Sequence, residues 1–430
     1  MQPEASAHRL YAPSSRCEGG CCGNLLEGVE PRAPTQPQPR KAATVYSISR
    51  IQHILQSLPR GTFQRCVQLH QADRYSKGFT CWDQLVAMVY AQLSGASSLR
   101  QLETGFNQYP SHHYHLATGP MRRSTLADAN ARRNPQVFAD TARILMQQAG
   151  RRIRRQRQEL LYLLDSTSIA LTGRGFDWTG ASATRTAGLK VHILYEANSR
   201  AVVHHSITPA NVNDIDEGRR MPIEAGATYV FDKGYCDYGW WRRIDAQGAR
   251  FVTRFKRNAA LKTCSERRLD SADDGVILRD SIVAFAHRCS RGGHRNAYTG
   301  ELRRIEVARA GDAPLVLATN DLDSPAVQVA QLYKQRWQVE LFFKWIKQHL
   351  SIKRFLGQSQ NAVRIQLLTA LITYLLLVLY KAVQPATSLW ALLMQVRAAV
   401  FQRPTTEHSD WRRRREHLAV VTALQPRLFP

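Results

Sequence analysis

The sequence predicts an α/β core preceded by a helical domain. Three observations carry this prediction. Apolar residues recur at helical spacing from about Ser47 to Gln148. From Glu159 they gather into short runs of strand length. Strands then alternate with helical stretches, the pattern of an α/β sheet.

Residues 1–43 are rich in Pro, Gln, Gly and Cys and lack periodicity, so they read as a flexible leader. They are either a tail or the product of a start codon set too far upstream. Residues 44–150 read as a basic helical domain that binds DNA ends, or as a plain structural bundle. In "CWDQLVAMVYAQLSG", Leu85, Val86, Val89 and Leu93 share a helical face closed by Gly95. Ser124 or Thr125 is the expected N-cap of a later helix. "SHHYH", Ser111–His115, reads as a loop with solvated histidines.

Core strands are expected in "ELLYLLDSTSIAL", "GLKVHILYE", "AVVHHSITPA", "ATYVFDKGY" and "RFVTRFK", all within residues 151–257. Residues 258–313 are polar and broken by glycines, with β-like pieces such as "LRRIEVARA", and read as a β-rich insertion. Residues 314–384 return to the core through "PLVLATN", one long helix from about Ser324 to Leu350, and an apolar helix. Residues 385–430 read as a helical, basic C-terminal region.

Composition narrows the function. The 430 residues are 44% hydrophobic, enough for a sizeable core. Lys and Arg number 59 against 34 Asp and Glu, a formal charge of +25. An excess of this size points to a polyanion, nucleic acid before membrane. The arginines cluster at Arg151–Arg157, Arg254–Arg257 and Trp411–Arg415. The eight cysteines show no paired zinc-ligand spacing, and a cytoplasmic, nucleoid-associated location is expected. The run Leu367–Tyr380 is shorter than the ~20 residues of a membrane span and reads as a buried core helix.

Two aspartates close predicted core strands: Asp165 ends "LYLLD" and Asp232 ends "YVFD". Strand ends on the carboxyl edge of an α/β sheet are where active sites gather. Converging carboxylates suit hard divalent cations such as Mg²⁺, and two such ions clamp both oxygens of a phosphodiester displacement. Either aspartate alone reads equally as a turn residue. The third carboxylate is expected in "YKQRWQVELFFKWIK". At 100° per residue, Tyr333, Arg336, Glu340 and Lys347 fall within an arc of about 60°, with Lys344 close by. Val339, Phe342, Trp345 and Ile346 lie on the other side. Alone, this stripe is a solvated face with an ordinary Arg336–Glu340 pair.

Together these blocks resemble a family. Tyr333, Arg336, Glu340 and Lys347 are similar to the YREK signature, Y-(2)-R-(3)-E-(6)-K, of the insertion-sequence-four family of bacterial DDE transposases. "LLDST" and "FDKGY" resemble its two aspartate blocks, and "RSTLADANARR" and "TPANVND" resemble further blocks. The resemblance covers roughly Ser47 to Val383. It implies a ribonuclease-H-like core interrupted by a β-rich insertion. Asp165, Asp232 and Glu340 would bind two Mg²⁺ ions, for which Mn²⁺ substitutes. Tyr333, Arg336 and Lys347 would hold phosphates of the element's end. The implied activity is cutting and joining of double-stranded DNA at inverted-repeat ends and target, by a homodimer, through hairpin ends. Relatives stack a tryptophan of the insertion on a flipped base. This insertion has no Trp, only Phe285 and Tyr298 as aromatics, so another residue takes that role or the DNA is handled differently.

Further DNA contacts are expected from Lys344, Arg254, Lys256 and Lys190. Lys190 and His192 sit two apart on one strand and face the same side. Contact with DNA, orientation of an active-site carboxylate and core-edge packing all stay open for them. Two other functions remain: a repurposed protein that only occupies DNA, and a related nuclease without strand transfer.

Overall fold

The computed structural model describes residues 49–154, 159–179, 187–269, 275–285, 297–382 and 388–402. The described residues begin with helices α1 (Arg50–Leu55), α2 (Arg60–Leu69), α3 (Cys81–Ser94), α4 (Leu99–Asn107), α5 (Pro110–Leu116), α6 (Arg123–Arg132) and α7 (Gln136–Arg154). In α3, Thr80 and Asp83 form a reciprocal capping box and Gly95 closes the helix at φ 74°. Every residue from Cys81 to Leu93 is buried, so α3 runs through the core.

Two local expectations change. Ser111–His115 are helical, because Pro110 starts α5 at a position where its missing N–H costs nothing. His113 is buried there, its Nε2 3.0 Å from the Phe106 carbonyl. Ser124 and Thr125 lie inside the first turn of α6, which starts at Arg123 with no side-chain cap.

The core is a sheet of β1 (Leu161–Ala170), β2 (Gly188–Glu196), β3 (Ala201–Pro209), β4 (Thr228–Phe231), β5 (Arg250–Arg254), β6 (Leu261–Glu266), β7 (Ile277–Phe285), β8 (Leu302–Val307) and β9 (Leu315–Thr319). Its spatial order is β3-β2-β1-β4-β5-β9-β8-β7-β6. β1, β4 and β5 run parallel, and the other described pairings are antiparallel. The strands between residues 261 and 307 join the same sheet, since β8 pairs with β9 and β9 with β5. Short α8 (Asp214–Gly218) and α9 (Tyr238–Ala246) connect core strands.

Four further helices are described: α10 (Ala326–Gln335), α11 (Trp337–His349), α12 (Gln360–Lys381) and α13 (Leu389–Ala398). The two faces of the sheet carry different cores. Leu163, Ile193, Val230 and Leu317 pack with Val329, Phe342, Ile346 and Leu367 of α10, α11 and α12. Leu164, Leu194, Phe231 and Phe251 pack with Trp240 and Trp241 of α9.

The single helix expected over Ser324–Leu350 is broken at Arg336. The Arg336 N–H donates to the Tyr333 carbonyl at 3.1 Å and the Val339 N–H to the Arg336 carbonyl at 3.2 Å. These i→i+3 bonds are one tightened turn between α10 and α11. Helix α12 extends the apolar run at both ends to 22 residues, long and apolar enough by itself to cross a membrane. Yet 83% of its apolar window is buried inside the protein. The N-terminal cysteines, the side chains of Arg152–Arg157 and the run Trp411–Arg415 lie outside the described residues.

Candidate active site

Asp165 does not close its strand as expected: β1 runs on past it to Ala170 because β2 continues to pair with it, whereas Asp232 directly follows the last residue of β4. Strand alternation and register bring the two aspartates together. Leu164 of β1 lies opposite Phe231 of β4 in a parallel pair, so the next residues, Asp165 and Asp232, are neighbours. Adjacent strands are about 4.8 Å apart. Leu163 belongs to the α11-side core and Leu164 to the α9-side core, so Asp165 faces α11. Asp232, following Phe231, faces the same way.

Helix α11 supplies the third carboxylate in its first turn. Val339, Phe342, Phe343 and Ile346 are buried against the sheet and seat the helix. Glu340 accepts from Arg336 Nη1 at 2.6 Å. Arg254, at the end of β5, is ion-paired with Asp232. Burial works against the Arg336 charge, but Glu340 and Asp165 stabilise it, and it helps hold Asp232 ionised. Arg336 is therefore the electrostatic centre of the three carboxylates.

The two aspartates differ. Burial pushes Asp165 up to about 6, with Glu340 and Asp214 adding to the rise against the Ser166 N–H and Arg336. Asp165 forms no ion pair among the described residues. Asp232 is also burdened by burial, but the Arg254 guanidinium and the Lys233 N–H hold it below the usual carboxylate range. Among the described residues, no three acidic, histidine or cysteine groups form a ready metal cage. The reason is visible: Glu340 is turned to Arg336 and Asp232 to Arg254. As a donor set, three carboxylates with one under-neutralised aspartate fit a hard divalent cation.

The other expected site residues divide. Tyr333 is 8% exposed, and the Arg336 guanidinium lies over its ring, 5.8 Å from the centroid. Lys347 donates to Thr167 Oγ1 on the Asp165 face of β1. Lys344 and Lys256 are exposed. Lys190 is turned inward: its ammonium is 3.1 Å from Asp214, and the side chain is 15% exposed. A groove of about 810 Å³ leads away from Asp232, lined by Lys233, Arg254, Lys256, Arg257, Arg304 and Arg309 among others. Arg304 and Arg309 pair with Glu306 and Asp312.

Trp337 was not singled out by its sequence position. It is 57% exposed beside Arg336, with Leu341 at 48% in the next turn. The helical angles that grouped Tyr333 and Glu340 also put Trp337 near that stripe and away from Phe342 and Ile346. Phe285 and Tyr298, by contrast, pack in the α9-side core, Phe285 4.4 Å from Tyr238 and Tyr298 buried against Phe251.

Neighbouring carboxylates, one within β1 and one just past the end of β4, under a cationic helix in a basic chain are the kind of site that polynucleotide-processing enzymes use. Residues 156–376 match the family described as transposase DDE domain, and residues 47–118 match a domain of unknown function (DUF4372). The chain belongs to the transposase DDE domain family. That membership implies divalent-metal use. The Sinorhizobium fredii protein y4zB, named a transposase, is 48% identical over 254 residues, 59% of this chain and 69% of the relative. A Geobacillus stearothermophilus protein, named as a transposase for insertion sequence element IS5377, is 29% identical over 50% of this chain and 55% of its own length. A Synechocystis protein named for element IS4SA is 24% identical, over 59% and 70%. Among solved structures, the piggyBac transposase synaptic complex with hairpin DNA covers 80% of this chain and 78% of that chain, at TM-score 0.44 and 10% identity. That score is too low to carry an argument.

Proposed function

We propose that this chain is a transposase of the insertion-sequence-four type, acting on the inverted-repeat ends of an insertion sequence. The observation that carries this reading is the register of β1 against β4. It sets Asp165 beside Asp232 under the helix that bears Glu340 and Arg336. Asp165, Asp232 and Glu340 hold two divalent ions, Mg²⁺ with Mn²⁺ as substitute. When bound, the ions supply charge stabilisation at the attacking and leaving oxygens of a phosphodiester.

The chain's own residues do the rest. Arg336 keeps Glu340 and Arg254 keeps Asp232 neutralised while the site is open, and both arginines release them as phosphates arrive. Guanidinium groups suit this exchange because carboxylate and phosphate both accept their forked N–H donors. Lys344 and Lys347 hold backbone phosphates, while Tyr333 braces Arg336 from below. Arg254, Lys256 and the rest of the basic groove track the strand leaving Asp232. Trp337 offers the stacking face that the insertion lacks. The helical segment 44–150 reads the ends, a homodimer pairs two of them, and excision runs through hairpin ends.

The test is cleavage of a duplex carrying terminal inverted repeats, with and without Mg²⁺. Metal-dependent nicking that exposes a 3′-hydroxyl, followed by strand transfer, is expected. Binding without cleavage would leave only DNA occupancy, and cleavage without joining would leave a nuclease.

A further inference from the structure

Behind Asp165, on the opposite face of β1, lies a second polar cluster. Ser166 and Ser168 pair in register with His192 and Lys190 of β2, and these four share that face. Asp214, the first residue of α8, reaches into it. Its Oδ1 accepts from Ser166 Oγ at 2.7 Å and lies 3.1 Å from Lys190 Nζ. His192, fully buried, approaches the same oxygen at 3.7 Å. Lys190 also donates to the Val212 carbonyl at 2.9 Å, tying down the segment before α8. The buried Tyr235 hydroxyl lies toward Ser166 and Asp214 without a well-formed hydrogen bond.

Asp214 thereby meets both aspartate-bearing segments. On one side it grips Ser166, whose N–H donates to Asp165 Oδ1 at 2.8 Å. On the other, its Oδ2 lies 4.0 Å from where a Cβ on Gly234 would stand, two residues past Asp232. Its charge is matched by Lys190, so it remains on the back face.

We propose that Asp214 is a positioning residue for the metal-binding aspartates: through Ser166 it fixes the orientation of Asp165, and against Gly234 it sets the segment after Asp232. Lys190 is its counter-ion and not a DNA contact. This inference rests on the reading of Asp165 and Asp232 as metal ligands. Outer groups that orient metal ligands typically change affinity about 10- to 100-fold when removed.

The test uses the full-length chain without DNA, as wild type, Asp214→Ala, Ser166→Ala and the double variant. Mn²⁺ binding is followed by the loss of the free-ion electron paramagnetic resonance signal, and folding by thermal melting. Asp214→Ala and Ser166→Ala are each expected to weaken Mn²⁺ binding about tenfold or more, with no further loss in the double variant. Wild-type affinity in Asp214→Ala, or losses that multiply in the double, would overturn the proposal. Should Asp214→Ala not fold, Ser166→Ala decides alone, because it leaves the Asp214–Lys190 pair in place. Wild-type protein that binds no Mn²⁺ overturns the metal-ligand reading itself, a result distinct from equal binding by wild type and variants.

Discussion

The two faces of β1 use the same residue types in opposite ways. On the α11 face, Asp165, Asp232 and Glu340 meet Arg336 and Arg254 near the surface, in pairs that a phosphate or a cation can exchange. On the α9 face, Asp214 meets Lys190, Ser166 and His192, of which Lys190 is 15% exposed and His192 is fully buried. The difference teaches that charge pairing alone does not mark function. What separates the faces is how the aspartate's charge is met: Asp214 on the back face is ion-paired with Lys190, whereas Asp165 on the front face has no ion pair among the described residues. Asp165 is pushed up to about 6 by burial. Such an uncompensated group is a common sign of a working site.

Removing the front carboxylates is the strongest way to break this contrast. Asp165→Ala, Asp232→Ala or Glu340→Ala should each lower end cleavage by about 100- to 1,000-fold or more, the scale of losing a preorganised electrostatic group, with DNA binding retained. Cleavage retained by any one of them removes that residue from the triad. Asp165→Asn should at the same time raise the stability of metal-free protein at neutral pH by on the order of 2 kcal/mol, since it removes a poorly compensated charge. Denaturant unfolding without divalent ions reads this.

The pH dependence sharpens the same point. The native state holds the Asp165 proton more tightly than the unfolded chain, so metal-free stability from this group falls as pH rises from 3.8 to about 6. Asp232 acts the other way: its depressed value stabilises above the ordinary carboxylate range, and that contribution is lost as pH falls. Metal binding needs Asp165 ionised, so Mn²⁺ affinity should drop about tenfold per pH unit below about 6. Titration calorimetry across that range measures it, and a flat profile would remove Asp165 from the ligand set.

Smaller effects lie at the rim. Trp337→Ala should weaken end-DNA binding about tenfold, the scale of one lost base–aromatic stack, without changing the salt dependence. Lys256→Ala and Arg257→Ala should each weaken binding modestly on any sequence and reduce the salt slope by about 1. Lys190→Ala should leave that slope unchanged, because its ammonium belongs to the back face. A slope change there would return Lys190 to the DNA surface.

The same contrast shows what could be read before folding. That Asp165 and Asp232 belong to core strands or their ends and Glu340 to a helix was legible, because strand runs and helical periodicity are local patterns. The helical first third and the strand runs were legible for the same reason. The break at Arg336 was not, because a single tightened turn leaves no periodic trace. Helical Ser111–His115 was missed because adjacent histidines outweighed the Pro110 start signal.

By itself, the sequence determined the order of the core strands, the basic character of the chain and that Asp232 stood at a strand end. Tertiary structure alone decided that Leu164 lies opposite Phe231, and so that Asp165 and Asp232 are neighbours. It alone turned Lys190 inward to Asp214, left Trp337 at the surface, and hydrogen-bonded the strands of residues 261–307 into one sheet. The physical reason is sequence separation. Periodicity is set by residues a few positions apart, whereas register and ion pairing join segments tens to hundreds of residues distant.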